Sequence, residues 1–208
     1  ADFHLEAAYA DNDAVRGNSP TFPFLQAGSA IVPATHPNNV FGEPVIFFGR
    51  AIGNGGNVSP QITENETYRI SGSVNGNIDA GLGWNYDVAL TYAKNNHFRS
   101  TEDTVTANFA AALAGNAPGG EFFNPFATSF TTSPNSANVL DFIIGTQTND
   151  AESELFVVDA VVSGSIAELD AGEVGLAIGF QYRDESTSSD LDDISNADGF
   201  GFLIGGPD

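Results

Sequence analysis

The sequence contains no cysteine, which excludes disulfide frameworks, thiolate metal centres and cysteine nucleophiles. That absence decides little about compartment, although it is compatible with an oxidising exterior. Positive charge is nearly missing as well. Six Lys and Arg stand against 27 Asp and Glu, for a formal net charge of -21. Such a chain repels phosphate backbones, so nucleic acid is not expected as a partner. Long apolar runs of the kind that make a transmembrane helix, about 18 residues, do not occur. Barrel strands are not excluded by this, because each gives a much weaker signal. The chain opens at Ala1 with neither an initiator Met nor a charged-then-apolar leader, as a processed chain or an internal piece would.

What is present points to strands. A length of 208 residues is enough for one domain with a sizeable core, and a hydrophobic content of 41% is too high for a disordered acidic chain. The 23 Gly, 17 Phe and 10 Pro suit strands joined by polar loops better than a helical bundle. Period-two alternation, the signature of a strand with two unlike faces, occurs five times. Phe3, Leu5, Ala7 and Tyr9 share one face, against His4, Glu6 and Ala8. From Tyr68 to Ile78 an apolar and glycine face opposes Arg69, Ser71, Ser73, Asn75 and Asn77. Trp84, Tyr86, Val88, Leu90 and Tyr92 alternate with Asn85, Asp87, Ala89, Thr91 and Ala93. Phe156, Val158, Ala160, Val162 and Ile166 oppose Asp159, Ser163 and Ser165. Val174, Leu176, Ile178, Phe180 and Tyr182 form the last apolar face.

These runs approach the roughly 9–11 residues of a tilted membrane-spanning strand, where soluble strands average nearer five or six. Tyr68, Trp84, Tyr92, Phe156 and Tyr182 lie near the ends of the apolar faces, where an aromatic girdle would meet a lipid boundary. A soluble antiparallel sandwich alternates too. The connections favour a barrel. Asp79 to Gly83 and Leu169 to Gly172 read as tight turns, while about Asp11 to Thr67, about Arg99 to Ser153, and Asp184 onward read as long loops. Short turns on one side and long loops on the other is the pattern of outer-membrane barrels. The expected fold is therefore all-β, an antiparallel transmembrane β-barrel segment of about five long strands. Within the second loop, Thr104 to Leu113 predicts a short helix, capped by Asp103 or Thr104 and ended by Gly115. No domain boundary is legible.

Three stretches resemble one family. Ile31-Val32-Pro33-Ala34-Thr35-His36-Pro37-Asn38-Asn39-Val40-Phe41-Gly42 is similar to the P-x-x-HP-x-NPFG loop of large TonB-dependent receptors, with Val40 in place of the usual proline. Phe123-Asn124-Pro125-Phe126 resembles the FNPF element that follows their Ala-rich loop helix. The hairpin from Phe156 to Glu185 is the most specific likeness, a VDA-x-x-SG strand, an AG turn and a VGLA-x-G-x-[EQ]YR-x-E strand. The resemblance implies a barrel of 22 strands enclosing a plug, in the bacterial outer membrane. It implies import of a scarce nutrient such as an iron chelate, cobalamin or a glycan, energised by the TonB complex. Plug, TonB box and closing strand are not seen, so residues 1–208 read as a partial barrel domain. Its expected partners are outer-membrane lipid, the rest of its own barrel and plug, the TonB complex through the missing N-terminal part, and a small nutrient ligand. A secreted or surface acidic β-rich adhesin and a passive porin-like channel are the alternatives.

Candidate chemistry is sparse, and no enzyme is expected. The acidic run containing Asp190, Asp192 and Asp193 offers the oxygen ligands that calcium wants, but lacks the ordered D-x-D-x-D-G spacing, and a solvated acidic loop is the preferred reading. No other cofactor is expected. His4, His36 and His97 are scattered without H-x-x-x-H spacing. Ser186 to Ser189 lacks a G-x-S-x-G elbow, Gly53 to Asn57 lacks the strand-to-helix setting of a phosphate loop, and no two carboxylates stand out as a glycosidase pair. Asn57-Val58-Ser59 and Asn65-Glu66-Thr67 match the glycosylation sequon, a frequent chance match. Ligand contacts are expected on the loops, from Phe47, Phe48, Arg50 and Arg99. Phe22, Phe24, Phe41, Phe122, Phe123 and Phe126 could stack on a ligand too, but a loop mini-core is preferred for all these aromatics, Phe47 and Phe48 included and Phe123 and Phe126 above all. Pairing with nearby carboxylates explains Arg50 and Arg99 equally well.

Overall fold

In the computed structural model, which describes residues 1–18, 30–51, 59–79, 83–127 and 135–201, all five alternating segments are strands of one sheet. They are β1 (Asp2–Asn18), β4 (Ser59–Ile78), β5 (Trp84–Thr104), β6 (Ile144–Leu169) and β7 (Gly172–Leu191), in the spatial order β1-β4-β5-β6-β7. The structure is mostly antiparallel β-sheet. A second ribbon pairs β2 (Ile31–Val32) with β3 (Val45–Ile46), also antiparallel.

Each long strand runs past the alternation that marks it. β6 spans 26 residues and β5 spans 21, so strand structure takes over much of what reads as loop from Arg99 to Ser153 and from Asp184 onward. Apart from Phe98 and Ala151, both faces turn polar in these extensions, at Asn95 to Thr104 and Thr146 to Glu154, and the apolar period fades while the backbone ladder continues. The turn from β6 to β7 is as tight as expected, with only Asp170 and Ala171 between the strands. The other expected turn has residues 80–82 outside the described residues.

The chain divides into two compact units, a division the sequence does not announce. The first comprises residues 1–12, 64–97 and 151–189, which are the alternating parts of the five strands. The second comprises residues 13–63, 98–150 and 190–208 and carries α1 (Thr106–Leu113), a 3₁₀ turn at Pro118–Gly120, α2 (Ala137–Ile143) and α3 (Asp193–Asn196). Among the described residues, the large buried apolar side chains belong to this second unit. Phe109, Leu113, Phe123, Val139 and Ile143 are fully buried there. The Phe109 ring lies 5.0 Å from Phe123 and 5.6 Å from Phe47, and Phe47 and Phe123 meet edge to face at 5.8 Å.

The predicted helix α1 is present, but its N-terminus differs from expectation. Val105 occupies the cap without a side-chain bond, because the Asp103 carboxylate accepts instead from the Thr104 N–H at 2.7 Å. Its C-terminus follows the sequence. Gly115 takes φ +80°, and Asn116 N–H reaches Ala111 O at 2.9 Å, closing a Schellman motif. A Cβ at Gly115 would also collide with the Phe122 ring. The unpredicted α2 is capped by Ser136, whose hydroxyl accepts from Val139 N–H at 3.2 Å.

Candidate functional site

The first unit presents two chemically opposite sheet faces. On one, large apolar side chains are open to the surroundings on all five strands: Phe3 and Leu5, Ile70, Leu90, Ile166, and Ile178 with Phe180. Phe3 is 83% exposed and Ile178 62%. Contacts between neighbouring strands show that these residues share a single face. Gly72 of β4 lies against Leu5 of β1, and the Tyr9 and Tyr68 rings are 5.2 Å apart. A Cβ on Gly76 would sit 2.8 Å from the Tyr86 hydroxyl, which places β4 beside β5 on that face. Trp84 of β5 fills the space over Gly164 of β6, where a Cβ would come within 2.6 Å of the indole. Phe156 and Tyr182 then join β6 to β7 at 6.4 Å.

One end of this apolar face is marked by tyrosine–carboxylate hydrogen bonds. Glu66 accepts from Tyr9 and from Tyr68, each at 3.1 Å, through its two different oxygens. Tyr92 donates to Glu154 at 3.0 Å, and Tyr182 to Asp184 at 3.1 Å. Lys94 bridges Glu152 at 2.7 Å and Glu154 at 3.3 Å. Apolar surface thus gives way within two residues to carboxylates and hydrogen-bonded groups, and tyrosines mark the change on four of the five strands. Tyr68, Tyr92 and Tyr182 are among the aromatics flagged at the strand ends, whereas Tyr9 and the acidic partners were missed. The signal was available, since Glu66 with Tyr68 and Tyr182 with Asp184 are two apart and therefore on one side of their strands.

The opposite face is polar and bonded across the strands. Arg69 pairs with Glu6 at 3.6 Å, Gln181 donates to Asp159 at 2.6 Å, and Ser165 to Glu173 at 2.5 Å. Arg183 pairs with Glu185 along β7. Asn95 donates to Thr67 at 2.8 Å, and His97 Nδ1 shares a 2.7 Å hydrogen bond with Asn65. A shallow concavity of about 350 Å³ on this face is lined by Asn75, Asn77, Asn85, Asp87 and Ser163. Such a surface suits water or a polar solute.

The residues singled out from sequence fall to different uses. Phe47 turns inward against Phe109 and Phe123, so it is a wall of the loop core, while Phe48 is 75% exposed. Arg50 is exposed. Arg99 faces Gln61, whose amide oxygen, turned toward the guanidinium, accepts from Nε at 2.6 Å and Nη2 at 3.0 Å. Phe123 is buried as expected, but Phe126 is half-exposed and only its backbone N–H is held, by Asn124 Oδ1 at 3.0 Å. Phe22 and Phe24 lie outside the described residues. Asp190 and Asp193 are exposed, and Asp192 caps α3. Its carboxylate accepts from Ile194 and Ser195 N–H at 3.0 and 2.9 Å, Ser195 Oγ at 2.6 Å and Thr148 N–H at 2.9 Å. Among the described residues, no group of three or more His, Asp or Glu is placed to hold a metal ion.

His36 is the functional-looking residue that sequence reasoning passed over. It is 3% exposed, and both ring nitrogens are engaged within the second unit. No protein-family model, curated protein or solved structure matches this chain.

Proposed function

We propose that this chain is a segment of an outer-membrane β-barrel of the TonB-dependent transporter type, part of a receptor that imports a scarce nutrient. The observation that carries the reading is the continuous exposed apolar face across five long strands. Soluble monomers rarely expose contiguous apolar patches beyond a few hundred Å². Lipid removes the cost, since acyl chains are as apolar as the side chains they meet. The dimensions support it. From Tyr68 to Ile78 the face runs ten residue steps, about 33 Å at roughly 3.3 Å per residue. A strand tilt of about 40° projects this to about 25 Å, the height of the apolar band of such barrels.

The tyrosine–carboxylate boundary supports a lipid edge at that level, and the bonded polar face suits a wet or plugged lumen. The stretches Ile31 to Gly42, Phe123 to Phe126 and Phe156 to Glu185, which resemble receptor motifs, favour this family among the barrels. On this reading the imported nutrient is an iron chelate, cobalamin, a glycan or similar, and uptake is energised by the TonB complex. The decisive experiment is the denatured intact mass of the native polypeptide after fractionation. It is expected in the detergent-extracted outer membrane at several times 21.7 kDa. A polypeptide near 21.7 kDa in the soluble fraction would overturn the proposal.

A further inference from the structure

We infer that His36 is a pH-operated latch that fastens the Pro33–Glu43 loop to the segment carrying Phe122 and Phe123. Among the described residues, the loop's other hydrogen bonds are to itself. His36 N–H donates to Pro33 O at 3.0 Å, Asn39 N–H to His36 O at 2.9 Å, and the Asn39 amide to Pro33 O and Glu43 O at 2.9 and 2.8 Å. Asn39 Oδ1 in turn accepts from Phe41 N–H at 2.9 Å. None of these bonds reaches another part of the chain. His36 Nε2 does, meeting Phe123 O at 3.0 Å across 87 positions of sequence.

The partners fix the proton. Asn38 N–H donates to His36 Nδ1 at 3.1 Å, so Nδ1 must keep its lone pair, and Phe123 O can only accept, so Nε2 must carry the hydrogen. The ring is therefore neutral and held in one tautomer. Protonation would put an Nδ1–H against the Asn38 N–H, two donors facing each other at a buried position. It would also place a cation at a site only 3% exposed. The charged groups on the two segments holding the ring are Glu43 and Glu121. Glu121 is occupied by Ser136 Oγ at 2.6 Å and Asn138 at 3.3 Å, and neither carboxylate bonds the ring. The Phe122 ring stands edge-on to it at 5.1 Å and carries no charge. Burial lowers the ring's affinity for a proton, and the Phe123 carbonyl only partly restores it. Acidification thus opens the latch and frees the loop tip, where Val40 and Phe41 are already exposed.

Because the chain has three histidines, the test can be made on the full folded protein with labelled histidine and amide hydrogen exchange. The His36 ring is expected to be the Nε2–H tautomer and to titrate below the ordinary histidine value. Exchange at the Asn38 amide, corrected for its intrinsic pH dependence, should accelerate at least about tenfold between about pH 7.5 and about pH 5. His36→Gln should abolish that pH dependence, and His97→Gln should retain it. A ring that titrates at or above the ordinary value overturns the latch. So does acceleration that persists in His36→Gln. Should that variant fail to fold, the tautomer and titration of the unaltered chain decide the matter.

Discussion

Asp192 shows how one carboxylate can organise a chain end. Burial alone would raise its pKa, but hydrogen bonds from the Ser195 hydroxyl and from the Thr148, Ser195 and Ile194 amides outweigh that and hold it below the usual aspartate value. Its ionised form is therefore favoured in the folded state. The sign of the linkage follows: this stabilisation is complete above the unfolded value, about 3.9, and is lost as pH falls through the lower folded one. Asp192→Ala should cost about 1–2 kcal/mol through loss of the cap, seen as faster amide exchange at Ser195 and Thr148 at neutral pH. The difference between variant and parent should shrink in strong acid, and an unchanged difference there would refute the assignment. The cap was legible in sequence as an Asp before a short polar run, yet the run was read as a solvated loop. Four residues of helix are too few to give a periodic signal, and the bond to Thr148 is long-range. His36 was hidden for the same reason, its partner lying 87 residues away.

Elements were legible in proportion to how unlike their two faces are. Each of the five strands was found from its apolar alternation, and each was read too short, because register continues where both faces are polar. Helix α2 escaped notice: Ala137–Ile143 is a short apolar run that could equally have been a strand, and only Ser136 marks its start. Glycine on the apolar face is where an element-level test is cleanest. Gly164 of β6 leaves room for the chain's single tryptophan, Trp84 of β5, to lie over the neighbouring backbone. Gly164→Ala places a methyl within 2.6 Å of the indole and also within 2.7 Å of Gly83 O, so the ring must move. The expected cost is about 1–3 kcal/mol of sheet stability, as for other overpacked sites. Trp84 emission, the only indole signal in the protein, should change at once. Unaltered emission would mean that the ring does not cover Gly164.

Across the whole molecule, the apolar face and the negative charge need an arrangement that satisfies both. A net charge of -21 favours dispersal in water, yet Phe3, Leu5, Ile166, Ile178 and Phe180 cannot remain in water together without association. Among the described residues, strands β1 and β7 end the sheet, and nearly all of β7 is exposed, so each of these two edges lacks a strand partner there. In hydrocarbon such edges must be paired by further strands, which is why five strands read as part of a larger barrel. Periodicity revealed which residues face apart, but nothing local in it distinguishes a face covered by lipid from one covered by a second sheet. Substitution by charge does. Val88→Arg or Ile178→Arg puts a guanidinium on the apolar face and should cost about 2–4 kcal/mol near a bilayer midplane, less toward its edges. Ser71→Thr on the polar face should be nearly silent in the same unfolding measurement from lipid vesicles. A strong penalty at Ile178 that falls off toward Tyr182 and Val174 would trace the depth profile of a membrane. Equal tolerance on the two faces would instead mean that water, not lipid, is the solvent of this sheet, and the barrel proposal would fall with it.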